Sequence, residues 1–178
     1  MHPTLVILVV GLSPSLVGEH TPNLQKLVRR GGLRPMKAIT PAVTCSAQST
    51  LLTGTLPAEH GIVANGWYFR DLSEVWLWRQ SNKLVAGEKI WETAKKLDSG
   101  FTCAKMFWWY NMYSTADWSA TPRPMYPADG RKIPDHSVIP PSYTMSWTRS
   151  SVSFHCLSSG GLQRILLPVN GFLMPLCT

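Results

Sequence analysis

The amino-acid sequence predicts a mixed α/β fold in which a parallel sheet carries helices on its faces. The first strand is indicated by "TLVILVV", a continuous apolar run rich in β-branched residues that ends before Gly11, which is the pattern of a strand covered on both faces. Amphipathic segments follow, and another apolar run, "FTCAKMFWW", comes after them. Strands that alternate with helices in this order favour a parallel sheet.

The first helix is predicted in "TPNLQKLVRRGG". Thr21 is suited to cap its N-terminus, Pro22 to occupy its first position and Gly31 to end it. An apolar stripe with helical spacing runs along it, formed by Leu24, Leu27 and Val28. The chain therefore opens with a strand, a loop and a helix.

Further elements continue this alternation. "LRPMKAIT" is predicted as a second strand, and it leads into "SAQSTLLTG", which has helical spacing and Gly54 as its terminator. "GEKIWETAKKL" is predicted as an amphipathic helix, with an inward stripe of Ile90, Trp91, Ala94 and Leu97. Thr44 consequently lies at a junction between a strand and a helix.

Composition and charge limit the function classes. The chain has 178 residues, of which 44% are hydrophobic, enough for one globular domain and unlike a disordered or collagenous chain. Its formal net charge of +7 would suit nucleic acid or another phosphate-bearing partner, but the cations are scattered. The densest group, "LVRRGGLRPMK", is interpreted as the solvated end of a helix, so nucleic-acid binding is the weaker alternative.

Cysteine usage and the N-terminus bear on location. Cys45, Cys103, Cys156 and Cys177 form no CxxC pair, so neither a structural zinc site nor a disulfide scaffold is indicated, and a reducing, cytoplasmic setting is expected. The N-terminal apolar run has no Lys or Arg before it and is too short to span a bilayer. No membrane partner is therefore expected.

Three potential nucleophiles, Thr44, Cys45 and Ser46, stand in a row in "PAVTCSAQSTLLTG". In parallel α/β sheets ligands bind where strands end and helices begin. The free N–H groups and the positive dipole end of such a helix favour a bound phosphate. Thr44 is therefore placed for phosphoryl chemistry, although a hydroxyl at such a position also serves as an ordinary helix N-cap.

Three motifs in this order resemble the amino-terminal part of the type I phosphodiesterase/nucleotide pyrophosphatase family of the alkaline phosphatase superfamily. They are "TPNLQKLVRRGG", "PAVTCSAQSTLLTG" and "PAEHGIVANGWY", and the resemblance runs with decreasing detail from about Leu5 to Asp135. It implies a three-layer alkaline-phosphatase-like fold that is incomplete in this chain. It also implies hydrolysis of phosphodiester or pyrophosphate bonds in a small phosphate ester or a nucleotide.

The resemblance assigns roles to two residues. Thr44 matches the family's nucleophile, which forms a covalent phospho-enzyme and also binds one of two divalent metal ions, commonly zinc; coordination to a dication activates a hydroxyl. Asn65 matches the residue that holds a non-bridging phosphate oxygen, and the alternative is a turn residue in "ANG". His60 and Cys45 match no catalytic role, so both are expected to be packing residues, with Cys45 inert and partly buried.

The chain departs from the family pattern at the metal site. In most members the first strand ends in Asp-Gly and the Asp binds metal, whereas here the strand ends in Val10 and Gly11. The remaining family ligands are Asp and His residues of the carboxyl-terminal half, and none can be assigned in this sequence. A truncated and inactive hydrolase is therefore expected, and the alternative is a catalytically dead phosphate-binding homologue.

The carboxyl-terminal segment has an abnormal composition. No acidic residue follows Asp135, while Arg149 and Arg164 remain, although globular domains mix both signs of charge. The chain is therefore divided into part of a catalytic domain at residues 1–135 and an acid-free tail at residues 136–178. A frameshift would produce such a tail, and the alternative is an ordinary disordered basic tail. Poor order is expected in both cases.

Overall fold

The structure is a computed structural model that describes residues 2–133, 136–139, 168–169 and 172–173. The helices are α1 (Pro22–Gly31), α2 (Thr44–Thr53), α3 (Pro57–His60) and α4 (Ile90–Leu97). The strands are β1 (Gly66–Phe69), β2 (Glu74–Leu77), β3 (Ala104–Met106), β4 (Trp118–Pro122), β5 (His136–Ile139), β6 (Pro168–Val169) and β7 (Phe172–Leu173). Most of the predicted tail therefore lies outside the described residues.

The described strands form small sheets. β1 and β2 are an antiparallel hairpin, in which Gly66 lies opposite Leu77. β3 runs parallel to β4, and β4 runs antiparallel to β5, so the strand order is β3-β4-β5. β6 and β7 pair antiparallel. The mixed α/β class is confirmed. The pairing of β5 with β4 extends to Ile139, beyond the predicted boundary at Asp135.

Two strand predictions are wrong. The "TLVILVV" segment, residues 4–10, belongs to no sheet, and its apolar side chains are exposed, with Val10 at 86%. The "LRPMKAIT" segment, residues 33–40, is likewise not a strand. A strand needs a neighbour for its N–H and C=O groups, and no described strand lies beside either segment. Strand propensity alone therefore did not decide their structure.

The helices predicted around residues 22–31 and 44–53 are confirmed. Pro22 occupies the first turn of α1, and the helix ends at Gly31, before Gly32 with φ of 109°. The Thr21 side chain does not cap α1, because its hydroxyl oxygen accepts the N–H of Gly18 at 2.9 Å. Gly54 ends α2 with φ of 70°, in the left-handed region that glycine adopts easily.

Helix α4 forms where predicted, but its apolar stripe is not the predicted one. Trp91 is buried, whereas Ile90 and Leu97 are exposed. The indole N–H of Trp91 donates to the hydroxyl of Thr115 at 2.8 Å. Lys95, one turn after Trp91, donates to the carboxylate of Asp117 at 2.7 Å. Helix α4 is therefore held along this side, and Ile90 and Leu97 stay in solvent.

The buried core lies beneath α2. It is formed by Cys45, Ile62, Val85 and Tyr110, and Trp67, Leu84 and Trp109 pack against it. Cys45 belongs to the first turn of α2. The core therefore supports the same helix end that carries Thr44.

Candidate active site

Helix α2 places its three potential nucleophiles in different environments. Thr44 is exposed, and its hydroxyl has no hydrogen-bond partner among the residues that the structure describes. Ser46 is buried, and its hydroxyl faces the carbonyl oxygens of Pro41 at 2.7 Å and Val43 at 3.2 Å. Of the three side chains, Thr44 is therefore the one that a solute can reach.

Thr44 is not the N-cap of α2. That position is held by Val43, and no side chain caps the helix from it. Thr44 is the first helical residue, and within the described part of the chain the backbone N–H groups of Thr44 and Ser46 have no partner. Free N–H groups and the positive end of the helix dipole together favour an anion at this point.

Asn65 is bonded to the same helix end. Its Oδ1 accepts the backbone N–H of Cys45 at 2.9 Å. Because an N–H group can only donate, the amide must turn its oxygen toward the helix, which leaves Nδ2 as a donor. That Nδ2 has no hydrogen-bond partner in the described residues. The structure thus brings together Thr44 and Asn65, the two residues that the sequence singled out.

The β1–β2 hairpin fixes the position of Asn65. The backbone N–H of Trp78 donates to the carbonyl of Asn65 at 2.8 Å, just beyond the end of β2. At Gly66 the strands approach so closely that a Cβ atom would lie 2.7 Å from the carbonyl oxygen of Trp76. The bond from Trp78 continues the β1–β2 pairing by one residue, so Asn65 lies directly before β1 at the paired end of the hairpin. The alternative, that Asn65 is a turn residue, stays a prediction.

Cys45 is a packing residue, buried completely rather than partly. Burial raises the pKa of its thiol to about 11, and the contact with the phenol of Tyr110 offsets part of this rise. A thiol with such a pKa stays protonated at neutral pH, and the thiolate is the reactive form. Cys45 is therefore inert, as predicted.

His60 is also a packing residue, as predicted. Its Nδ1 accepts the N–H of Ile62 at 3.1 Å, so its Nε2 carries the proton and donates to the hydroxyl of Thr50 at 2.9 Å. Burial lowers the pKa of the ring. Both nitrogens are occupied, so neither is free to bind a metal ion or to act as a base.

The described residues do not fit a two-metal centre. They contain no group of three or more His, Cys, Asp or Glu side chains that could hold a metal ion. Val10, at the position expected for the first-strand Asp, has an apolar side chain without a metal-binding atom and lies outside any sheet. Divalent metals of this kind need several nitrogen, oxygen or sulfur ligands.

The sequence interpretation missed two contacts between α2 and residues far along the chain. The Oε1 of Gln48 accepts the backbone N–H of Trp109 at 2.7 Å, and the side chain of Tyr110 packs against Cys45. Gln48 is a polar residue on the buried side of α2, which was the available signal. Its partner, far along the chain, was not encoded in any local pattern.

A hydroxyl free of partners, an amide donor and open N–H groups at one helix end make a site suited to phosphate esters in a mixed α/β protein. The family model for type I phosphodiesterase / nucleotide pyrophosphatase matches residues 4–163. The chain belongs to this family. The match extends past Asp135, where the recognisable motifs end, and no curated protein matches the chain significantly.

Membership confirms the resemblance and supports the coarser functional statements. The fold is mixed α/β and is consistent with part of an alkaline-phosphatase-like domain, and the family is hydrolytic and suggests small phosphate-ester substrates. Within the described ranges, no helix has the length and apolar character needed to cross a bilayer.

Proposed function

We propose that Thr44 and Asn65 are the nucleophile and the phosphate-oxygen donor of a hydrolase for phosphodiester or pyrophosphate bonds. The bond between the Cys45 N–H and the Asn65 Oδ1 is the observation that supports this most strongly. It fixes an unpaired Nδ2 donor at the helix end that carries the unpaired Thr44 hydroxyl. The expected substrate is a small phosphate ester or a nucleotide.

In the proposed reaction the Oγ1 of Thr44 forms a bond to phosphorus while the bond to the leaving oxygen breaks. The leaving alcohol or phosphate takes up the hydroxyl proton, and a water molecule later cleaves the phosphothreonine and restores Thr44. The Nδ2 of Asn65 and the free N–H groups of α2 donate to the non-bridging oxygens. Donors fixed before the reaction stabilise the charge that develops there.

The metal requirement separates this chain from an active hydrolase. The family's two divalent ions, commonly zinc, do not fit the donor groups of the described residues, and the role of Thr44 as a metal ligand stays a prediction. An unassisted threonine hydroxyl is a poor nucleophile at neutral pH. We therefore propose that the 178-residue chain binds phosphate without measurable turnover. The cytoplasmic location stays a prediction as well.

A zinc titration with bis(p-nitrophenyl) phosphate tests the proposed inactivity. The chain is expected to release no nitrophenol above the buffer rate at any zinc concentration. Zinc-dependent turnover that Thr44→Ala abolishes would show an active enzyme whose chain supplies the zinc ligands. Thr102→Ala is the matched control, because Thr102 is another exposed threonine whose side chain makes no hydrogen bond in the described part.

Restoring the reading frame after Asp135 tests the nucleophile itself. In a frame-restored protein Thr44→Ala is expected to abolish turnover and leave the fold intact, while Asn65→Ala costs about 2–4 kcal/mol of transition-state stabilisation, the loss typical of one oxyanion donor. Full turnover by a folded Thr44→Ala variant would remove Thr44 from the mechanism.

The second candidate is a phosphate-binding homologue without catalysis. Val10 in place of an acidic ligand favours it. In that case the frame-restored protein binds phosphate through Asn65 but shows no turnover at any metal concentration. A nucleic-acid-binding function has the net charge alone in its favour, and DNA binding that falls steeply with salt would be required to support it.

A further inference from the structure

The aromatic turn, residues 107–113, contains three bulky residues in a conformation that they rarely adopt. Phe107, Tyr110 and Tyr113 have φ of 60°, 56° and 59°, in the left-handed region that favours glycine. Such conformations persist where surrounding contacts enforce them, and they cluster at functional sites. Tyr110 is the buried member of the three.

Two buried side chains hold the backbone of Tyr110. Its carbonyl oxygen accepts the Nδ2 of Asn82 at 3.1 Å and the Nζ of Lys105 at 3.0 Å. Lys105 forms no ion pair with a carboxylate in the described part of the chain, and its ammonium lies 5.1 Å from the ring centre of Trp91. A buried amine costs free energy unless it is hydrogen-bonded, so the bond to the Tyr110 carbonyl offsets part of that cost and ties Lys105 to the turn.

The aromatic turn contacts the first turns of α2. Tyr110 packs in the same buried cluster as Cys45, the residue directly after Thr44, and its phenol lowers the pKa of the Cys45 thiol against the larger effect of burial. The N–H of Trp109 donates to Gln48, one turn further along. Asn65 holds the Cys45 N–H from another direction. The start of α2 is thus fixed by side chains from two separate parts of the chain.

We propose that Tyr110 is a positioning residue for Thr44, acting through the Cys45 thiol. Cys45 lies in the first turn of α2 and its N–H bonds Asn65, so a shift of Cys45 would change the position of the Thr44 hydroxyl relative to Asn65. The Asn82 and Lys105 donors keep Tyr110 in its left-handed conformation, so they act on Thr44 through the same contact. This inference rests on the proposed function, in which Thr44 is the nucleophile. The effect of Tyr110 on the start of α2 can be tested without any ligand.

Amide hydrogen exchange of the full 178-residue chain tests the contact. Tyr110→Phe, which removes the phenol oxygen and keeps the ring, should raise the exchange rate of the Cys45 amide at least fivefold. The Gly54 amide, bonded to Thr50 at the other end of α2, should stay within a factor of two. Tyr113→Phe is the matched control, since Tyr113 shares the conformation but is exposed. Equal acceleration at both helix ends, or none, would overturn the proposal.

A double-mutant cycle makes the test specific to the contact between the two side chains. Cys45→Ala should accelerate the same amide, Cys45→Ser should restore slow exchange, and Cys45→Ala combined with Tyr110→Phe should add nothing, because both changes remove one interaction. Additive effects would contradict the proposal. Inorganic phosphate titrations separate it from the proposed function. Phosphate binding that survives Asn65→Asp, which removes the Nδ2 donor, would refute the phosphate site, while the exchange result would still decide the role of Tyr110.

Discussion

At the start of α2, hydrogen bonding decides which side chain is available to react. The Ser46 hydroxyl is bonded to the preceding loop, and the Cys45 thiol is buried and protonated. The Thr44 hydroxyl, next to them in sequence, is exposed. Sequence alone showed three candidates in a row, and the choice among them depends on which face of the helix meets the core.

Asn65 has two separable functions, and two substitutions distinguish them. Asn65→Asp keeps an oxygen for the Cys45 N–H, so the thermal midpoint should change little, but it replaces the donor by a negative charge and should abolish phosphate binding. Asn65→Ala loses the bond to the helix as well and should lower the free energy of unfolding by about 0.5–2 kcal/mol, the cost of a lost helix cap. Thermal unfolding and phosphate titration measure the two effects.

Asn23→Ala is the matched control for these variants. Asn23 is exposed in α1, and its side chain has no hydrogen-bond partner in the described residues. Its replacement should leave both measurements unchanged. Phosphate binding by Asn65→Asp at the wild-type affinity would show that the Nδ2 donor has no part in the site.

Lys105 makes stability depend on pH. Burial lowers the pKa of its ammonium from 10.5 to about 7, so between these values the unfolded chain binds more protons than the folded chain. The free energy of unfolding should therefore rise with pH above 7. Above pH 9 the rise is opposed, because burial raises the pKa of Cys45 from 9.0 to about 11.

Urea unfolding at pH 7, 8 and 9 measures this dependence. The wild-type chain should gain stability across the series, and Lys105→Met, which keeps an apolar stem without the titrating group, should have a flatter profile. Lys132→Met is a control at an exposed lysine. The same slope in the wild type and in Lys105→Met would exclude Lys105 as its source.

At the scale of elements, the sequence predicted helices better than strands, for a physical reason. The bonds of α2 are local, and Gly54 marks its end in the sequence. The segment at residues 4–10 has strong strand propensity, but a strand needs a partner from elsewhere in the chain, and propensity cannot supply one. For the same reason Asn65 was singled out by its motif, whereas the contacts of Gln48 with Trp109 and of Cys45 with Tyr110 were not foreseen.

Residues 4–9 should lack protection in amide hydrogen exchange, because no described strand pairs with them. Residues of β4, which lies between β3 and β5, should exchange much more slowly. Buried, hydrogen-bonded backbone opens rarely, while unpaired backbone exchanges at nearly the random-coil rate. Equal protection of the two segments would show that residues 4–9 have a strand partner after all.

Gly66 is required by the close approach of β1 and β2. In Gly66→Ala the new methyl group would collide with the backbone of Trp76 and the side chain of Leu77, which should cost about 1–3 kcal/mol, as overpacking does. Gly18→Ala is the control, because Gly18 has open space around it and an ordinary φ. Chemical denaturation compares the two variants, and equal stability would contradict the close approach.

At the scale of the whole molecule, the division at Asp135 stays a prediction. The family match reaches residue 163, and β5 pairs with the body immediately after the boundary, while the tail contains no acidic residue. We propose that a frameshift beyond Asp135 accounts for this composition. The coding DNA read in all frames tests it: an acid-containing, helix-patterned sequence in another frame is expected, and a lack of one would favour a genuine basic tail.

The central claim is that Thr44 and Asn65 form one phosphate site, and an amide NMR titration with inorganic phosphate tests it most directly. The backbone amides of Thr44 and Ser46 and the side-chain NH₂ of Asn65 should shift together with a single affinity. Asn65→Asp should remove all of these shifts, while Asn23→Ala should leave them intact. Shifts confined to the basic stretch at residues 26–37, or no shift at Asn65, would contradict the claim.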